Sequence, residues 1–83
     1  MNLYFKNSKG EIRLLCKANN RKAIMKKIDD FLKEHNYESF YTRMWETDND
    51  ELGSCIKIDV GSWTEFFYVQ FNSPEDRDYF LRG

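Results

Sequence analysis

Residues 54–71 restrict the fold of this chain most, because two strand-like patterns flank a Gly-Ser pair. Ile56 and Ile58 alternate with polar residues, which is the period of two expected of a half-buried strand. Residues 66–71, which follow the pair, are rich in the aromatic and β-branched types that favour strands. Since Gly61 can adopt the positive φ that a tight turn requires, the pattern predicts a β-hairpin.

The length of the hairpin loop decides which side chains share a face, because a shift of one residue exchanges the two faces. A loop of three residues would place Asp59 directly opposite Glu65, and like charges in that position destabilise a sheet. We therefore expect an even loop of two or four residues. Ile56 and Ile58 then share a face with Phe67, Val69 and Phe71. The opposite face carries Lys57, Phe66 and Tyr68.

The N-terminal half of the chain predicts a second hairpin and a long helix. Residues 3–6 and 12–17 show strand patterns on either side of an Asn-Ser-Lys-Gly turn, with Ile12, Leu14 and Cys16 alternating against their neighbours. Residues 21–35 repeat apolar side chains at helical spacing. Asn20 is the expected N-cap of this helix, and Asn36 is its expected left-handed cap.

The C-terminal half completes an α+β fold with the order β-β-α-β-β-β-α in a single domain, residues 1–83. Residues 40–46 predict the third strand, with Phe40 turned to the same side as Thr42 and Met44. Ser73 and Pro74 begin a short helix over residues 76–82. We expect the last three strands to form an antiparallel meander, with the long helix on the sheet face that bears Ile56.

The sequence contains no recognisable motif for catalysis, cofactor binding or metal binding. His35 is the only histidine, and Cys16 and Cys55 are too far apart for a metal-ligand motif. The acidic loop 48–51 lacks the spacing and the central glycine of a calcium-binding loop. We expect a protein that is not an enzyme, with no catalytic residues, no cofactor, no metal and two reduced, largely buried thiols.

Hydropathy along the chain predicts an intracellular protein. No apolar run approaches the length of a membrane span, and the first residues lack the apolar core of a signal peptide. We therefore expect a cytoplasmic location and no membrane partner.

Positive and negative charges are unevenly distributed along the sequence. Residues 1–43 contain ten Lys/Arg and five Asp/Glu, whereas residues 44–83 contain three and nine. The folded chain could therefore present faces of opposite sign, or the two halves could interleave and cancel.

The sheet face opposite the long helix is the predicted site for a protein partner. Aromatic residues and arginine are enriched at binding hot spots, and several of them fall on this face or at its hairpin turn. The predicted partner-binding residues are Tyr41, Arg43, Trp45, Lys57, Trp63, Phe66 and Tyr68. The C-terminal helix could cover this face with Tyr79 and Phe80, but two helical turns are too few to cover five strands.

Nucleic-acid binding by the basic side of the long helix is the alternative. Its predicted contacts are Arg21, Lys22, Lys26 and Lys27, which could lie along a phosphate backbone. Residues 21–82 also have the α-β-β-β-α order of double-stranded-RNA-binding domains. Those domains place lysines at the start of their last helix, whereas this chain has an acidic sequence there.

The edges of the predicted sheet indicate weak self-association. Residues 3–6 form a short strand that carries Lys6, which discourages pairing at an edge. If residues 40–46 form the other edge, they present Tyr41 and Trp45 beside open backbone groups. We expect a weak homodimer at high concentration, formed by edge pairing around a two-fold axis.

The segment YTRMWETD followed by IKIDVGSWTEFFYVQF resembles small proteins encoded by phages and prophages of Gram-positive bacteria. These short chains carry a D-V-G-S-x-x-E-F-F element near the C-terminus, which corresponds here to residues 59–67. The resemblance implies an accessory protein in the bacterial host cell, with a host or phage protein as its partner. Small phage proteins of this kind often inhibit a host factor.

Overall fold

Five antiparallel strands and two helices form the computed structural model, which describes residues 1–62 and 64–82. The elements are β1 Asn2–Lys6, β2 Ile12–Lys17, α1 Arg21–Glu34, β3 Arg43–Asn49, β4 Gly53–Asp59, β5 Phe66–Gln70 and α2 Pro74–Arg82. This order confirms the predicted α+β fold. Neither of these two helices combines the length and the apolar character needed to cross a membrane.

The central hairpin has the predicted register but a longer loop. Ile56 pairs with Val69, Ile58 with Phe67, and Lys57 with Tyr68, as an even loop requires. The loop spans six residues, 60–65, so the predicted length of two or four was wrong. In this loop, side chains accept hydrogen bonds from backbone N–H groups. Asp59 accepts one from the Gly61 N–H at 2.9 Å, and the Ser62 hydroxyl accepts one from the Glu65 N–H at 3.1 Å.

The strand order is β2-β1-β5-β4-β3, so β1 lies inside the sheet and not at its edge. The prediction that residues 3–6 form an edge was therefore wrong. All five residues of β1 pair with β5, and Leu3 and Phe5 complete the buried face. The two edges are β2 and β3, so the condition under which self-association was predicted, an edge at the third strand, is met.

The strict alternation predicted for β2 was also wrong. The pairing with β1 shifts between Leu3 and Tyr4, where a bulge on β2 leaves Leu15 without a direct partner. Cys16 and Leu15 both pack against the core as a result, whereas Leu14 lies exposed on the other face.

The third strand begins and ends three residues later than residues 40–46. Its ladder with β4 runs from Arg43 opposite Asp59 to Asn49 opposite Gly53. Asp48 and Asn49 of the acidic loop belong to this strand. The turn that follows is short, because the Asn49 side chain accepts hydrogen bonds from the N–H groups of Glu51 and Leu52. Phe40 was predicted to be in this strand but precedes it: it donates its N–H to the Val60 carbonyl at 3.1 Å, and its side chain is 72% exposed.

Both helices pack on the same face of the sheet. Asn20 caps α1 by accepting the Ala23 N–H, and Asn36 has the predicted positive φ of 56°. The buried residues of α1 are Ile24, Ile28, Phe31 and Leu32, and they join the Ile56 face in one core.

The second helix begins at Pro74, two residues earlier than predicted, with Ser73 accepting the Asp76 N–H. Its Phe80 is fully buried in the same core and contacts Phe71 at 5.5 Å between ring centres. The possibility that α2 covers the other sheet face is therefore excluded.

Candidate functional site

The sheet face opposite the two helices, called the open face below, is covered by neither helix. The strand register arranges its side chains in rows that run from β2 to β3. The central row contains Leu14, Tyr4, Tyr68, Lys57 and Trp45. On one side of this row, Lys6 pairs with Ile12 and Phe66, and Asp59 pairs with Arg43.

The row on the other side is polar and tied by hydrogen bonds. Gln70 accepts the Asn2 side-chain N–H at 3.1 Å and the Tyr4 hydroxyl at 3.3 Å, and it donates to the Leu52 carbonyl at 3.0 Å. Gln70 therefore connects this row to the central row through Tyr4 and to the turn after β3 through Leu52.

Lys57 lies at the centre of an aromatic group on the open face. Its ammonium is 3.9 Å from the ring centre of Phe66, 5.8 Å from that of Trp45 and 5.9 Å from that of Tyr68. Such distances are those of cation–π contacts, which stabilise by about 0.5 to 1 kcal/mol when exposed. Strand pairing alone creates this group, because the four side chains come from three adjacent strands.

Arg43 extends this group toward the loop after β4. Its guanidinium lies 4.9 Å from the ring centre of Tyr41 and 6.0 Å from that of Trp45, and it donates to the Asp59 carboxylate at 3.1 Å. Burial raises the pKa of Asp59, but the Gly61 N–H and Arg43 outweigh this effect and lower it below its usual value. Asp59 is therefore a structural carboxylate, ionised at neutral pH, that fixes both Arg43 and the loop.

Six of the seven predicted partner-binding residues come together in the structure. The structure brings together Tyr41, Arg43, Trp45, Lys57, Phe66 and Tyr68, called the aromatic-cation cluster below. Trp45 is 40% exposed, whereas Tyr68 is only 3% exposed and offers no free ring face. Trp63 lies outside the described residues.

Charge distinguishes the open face from the whole molecule. Four cations and one carboxylate point to this side in the strand register, namely Lys6, Lys17, Arg43, Lys57 and Asp59. This gives the face an excess of three positive charges, although the chain has a net charge of −1. Residues of both halves of the sequence meet on this face, since Lys6, Lys17 and Arg43 come from the first half and Lys57 and Asp59 from the second.

Two of the four basic residues of α1 that were predicted to contact nucleic acid already form contacts within the chain. Arg21 donates to the Phe80 carbonyl at 3.1 Å and lies over the Phe80 ring, so it joins the two helices. Lys26 pairs with Asp30 at 2.8 Å, whereas Lys22 is exposed and Lys27 is partly buried.

The sequence interpretation missed two exposed aromatic residues beside the cluster. Tyr37 and Phe40 lie between α1 and β3, and both line a pocket that also touches the loop after β4. Because alternation alone assigned Phe40 to a strand, its exposure could not be inferred. The density of aromatics in the sequence YESFY was the available signal.

The remaining candidate residues have structural roles. His35 ends α1, where its Nδ1 lies 3.0 Å from the Phe31 carbonyl and its ring stacks on Phe31. Burial raises the pKa of the Cys55 thiol, which makes it a poor nucleophile. Within residues 1–62 and 64–82, no three His, Cys, Asp or Glu side chains form a potential metal site.

Comparison of the chain with protein-family models, with curated proteins and with solved structures gave no match.

Proposed function

We propose that this chain is a non-enzymatic interaction module that binds an acidic surface of a protein partner through its open face. In this proposal it is a phage- or prophage-type accessory protein in the bacterial cytoplasm. The partner is a host or phage protein, and inhibition of a host factor would be one consequence of binding.

One observation carries the proposal: the sheet face that neither helix covers combines an excess of three positive charges with the aromatic-cation cluster at its β3 side. Arg43 and Trp45 lie on the edge strand, where a partner can reach them. Arginine and tryptophan are the residue types most enriched at binding hot spots. Carboxylates on a partner would complement the charge and guide the encounter.

The state of the aromatic rings favours a protein over a single-stranded nucleic acid. Base stacking requires a free ring face. On the open face, Tyr68 is buried, and the Lys57 ammonium occupies a face of Phe66 at 3.9 Å. Only Tyr41 and Trp45 of the cluster expose large ring areas, and Arg43 already lies over both.

The test is capture of a partner from lysate of a Gram-positive host by the immobilised chain and by matched variants. Trp45→Ala and Arg43→Ala should each abolish capture of the same protein. Tyr79→Ala is the matched control, since Tyr79 is an exposed aromatic residue on α2, away from the open face. Circular dichroism and thermal unfolding of each variant separate loss of binding from loss of fold.

The measured outcomes decide the proposal directly. Capture that weakens with added salt and is lost in both open-face variants but not in Tyr79→Ala agrees with it. Capture that survives both variants, or that is lost equally in the control, contradicts it.

Nucleic-acid binding through α1 stays the second candidate, with Lys22 and Lys27 as its available cations. A fluorescence titration of labelled RNA and DNA at low and physiological salt tests it, because counterion release makes such binding steeply salt-dependent. The variant Lys22→Glu should weaken binding if α1 is the contact. The double variant Lys6→Glu/Lys17→Glu should weaken nucleic-acid binding if the open face is the contact surface instead.

A further inference from the structure

A pocket of about 180 Å³, called the end pocket below, opens at the end of the sheet beside the loop after β4. Four core residues form its apolar wall, namely Phe5, Leu32, Val60 and Phe67. The pocket lies next to the open face without being part of it, since Phe5 and Phe67 point to the helix side of the sheet.

The size of the end pocket matches one side chain or one aromatic ring. An apolar cavity of about 150 Å³ in a protein interior is large enough to bind benzene. At about 180 Å³ with an open mouth, the end pocket can accept a group of that size with a substituent that reaches solvent.

Phe40 lines the outer side of the pocket. Its N–H is bonded to the Val60 carbonyl, and its side chain sits so close to Gly61 that a Cβ placed there would meet Phe40 atoms at 3.1 Å. A large apolar side chain that is 72% exposed therefore lies beside the Gly61 backbone at the pocket. Exposed apolar surface of this kind is typical of ligand or partner sites.

Two carboxylates give the mouth a negative charge. Glu38 and Glu65 line the pocket, and neither forms an ion pair with any other described residue. The nearby Glu65 carboxylate, together with burial, raises the pKa of the Tyr37 hydroxyl. The pocket thus combines an apolar wall with an unneutralised negative rim.

We propose that the end pocket binds an apolar group the size of one side chain that carries an ammonium or guanidinium. The apolar part contacts Val60, Phe67 and Phe40, and the cation lies at the mouth against Glu65 and Glu38. This assignment does not rest on the proposed function, because the ligand meets a different surface with charge of the opposite sign.

The test compares three probes of nearly equal size and different charge: phenethylammonium, 2-phenylethanol and 3-phenylpropionate. Each is titrated into isotope-labelled protein while the amide resonances of Gly61, Ser62 and Glu65 are followed by NMR. We expect saturable shifts with phenethylammonium and about tenfold weaker binding of 2-phenylethanol, the factor expected of one charge-assisted contact. Binding of 3-phenylpropionate should be weaker still.

Three variants locate the interaction. Glu65→Gln should remove most of the preference for phenethylammonium over 2-phenylethanol. Phe40→Ala should lower the binding affinity of both probes to a similar degree. Glu75→Gln, an exposed carboxylate on α2, should leave both affinities unchanged.

The proposal is overturned if the three probes bind wild-type protein equally, if none gives saturable shifts, or if the preference persists in Glu65→Gln. The comparison of probes on wild-type protein is decisive even where a variant fails to fold. Because no partner protein is used, this result is independent of the capture experiment on the open face.

Discussion

The ammonium of Lys57 lies 3.9 Å from the ring centre of Phe66, on the strand next to its own. The direct partner of Lys57 in the ladder is Tyr68, so the contact with Phe66 is diagonal. It shows that strand register brings the Lys57 ammonium onto an aromatic ring of the neighbouring strand.

A double-mutant cycle on Lys57 and Phe66 should give a coupling free energy of about 0.5 to 1 kcal/mol, as expected of an exposed cation–π contact. The variants are Lys57→Met and Phe66→Leu, which keep most of the apolar volume. Urea unfolding of the two single variants and the double variant measures the coupling. A value indistinguishable from zero would show that the contact makes no net contribution.

The stability of the chain should depend on Asp59 at acid pH. Its pKa in the folded state lies below its ordinary value of 3.8, because the Gly61 N–H and Arg43 outweigh the opposing effect of burial. A carboxylate with a lowered pKa contributes stability above its unfolded pKa, and this contribution is lost as pH falls through the folded value.

Asp59→Asn should therefore lower the free energy of unfolding by about 1 kcal/mol at pH 7. The Asn side chain keeps an acceptor for the Gly61 N–H, but it loses the charged hydrogen bond to Arg43, whose side chain is largely exposed. The difference from wild type should shrink between about pH 5 and pH 2. Urea unfolding at several pH values measures it, and a difference that stays constant with pH would refute the assignment.

The placement of α2 predicts very different effects for two adjacent aromatic residues. Phe80→Ala should cost about 3 to 5 kcal/mol, the range for removing a fully buried phenylalanine, and should leave the domain close to unfolding. Tyr79→Ala should change stability by about 0.5 kcal/mol or less, because the side chain is 60% exposed. Equal losses of stability for the two variants in thermal unfolding would show that α2 does not bury Phe80 in the core as described.

Gly61 and Gly53 offer a matched pair for the contact with Phe40. Both have positive φ, at 102° and 74°, but only a Cβ at Gly61 would meet other atoms. Gly53→Ala should cost about 1 kcal/mol from backbone strain. Gly61→Ala should cost at least about 1 kcal/mol more and should shift the NMR resonances of Phe40. Equal costs would mean that Phe40 moves away freely.

The β3 edge predicts weak self-association. Its outer backbone groups have no strand partner in the sheet order, and unlike β2 it is not interrupted by a bulge. We expect a rise in average mass between micromolar and near-millimolar protein in sedimentation equilibrium, and a lower mass for Arg43→Glu if the open face is part of the contact. A monomer mass that does not change over this range rules the dimer out.

Local sequence signals determined the elements and one face of the candidate site. The caps at Asn20, Asn36 and Ser73 depend on hydrogen bonds to residues a few positions away, so they are visible in the sequence. Alternation of period two separated the two faces within each strand, and the like charges of Asp59 and Glu65 selected the even register that places Lys57 and Phe66 on one face.

Tertiary contacts decided the rest. The insertion of β1 between β2 and β5, the docking of Phe80 beside α1 and the exposure of Phe40 all depend on residues distant in sequence. Local periodicity carries no information on which strands pair or which face a short helix covers. The open face and the end pocket exist because both helices bury their apolar residues on one side of the sheet, and that choice is made only when the whole core assembles.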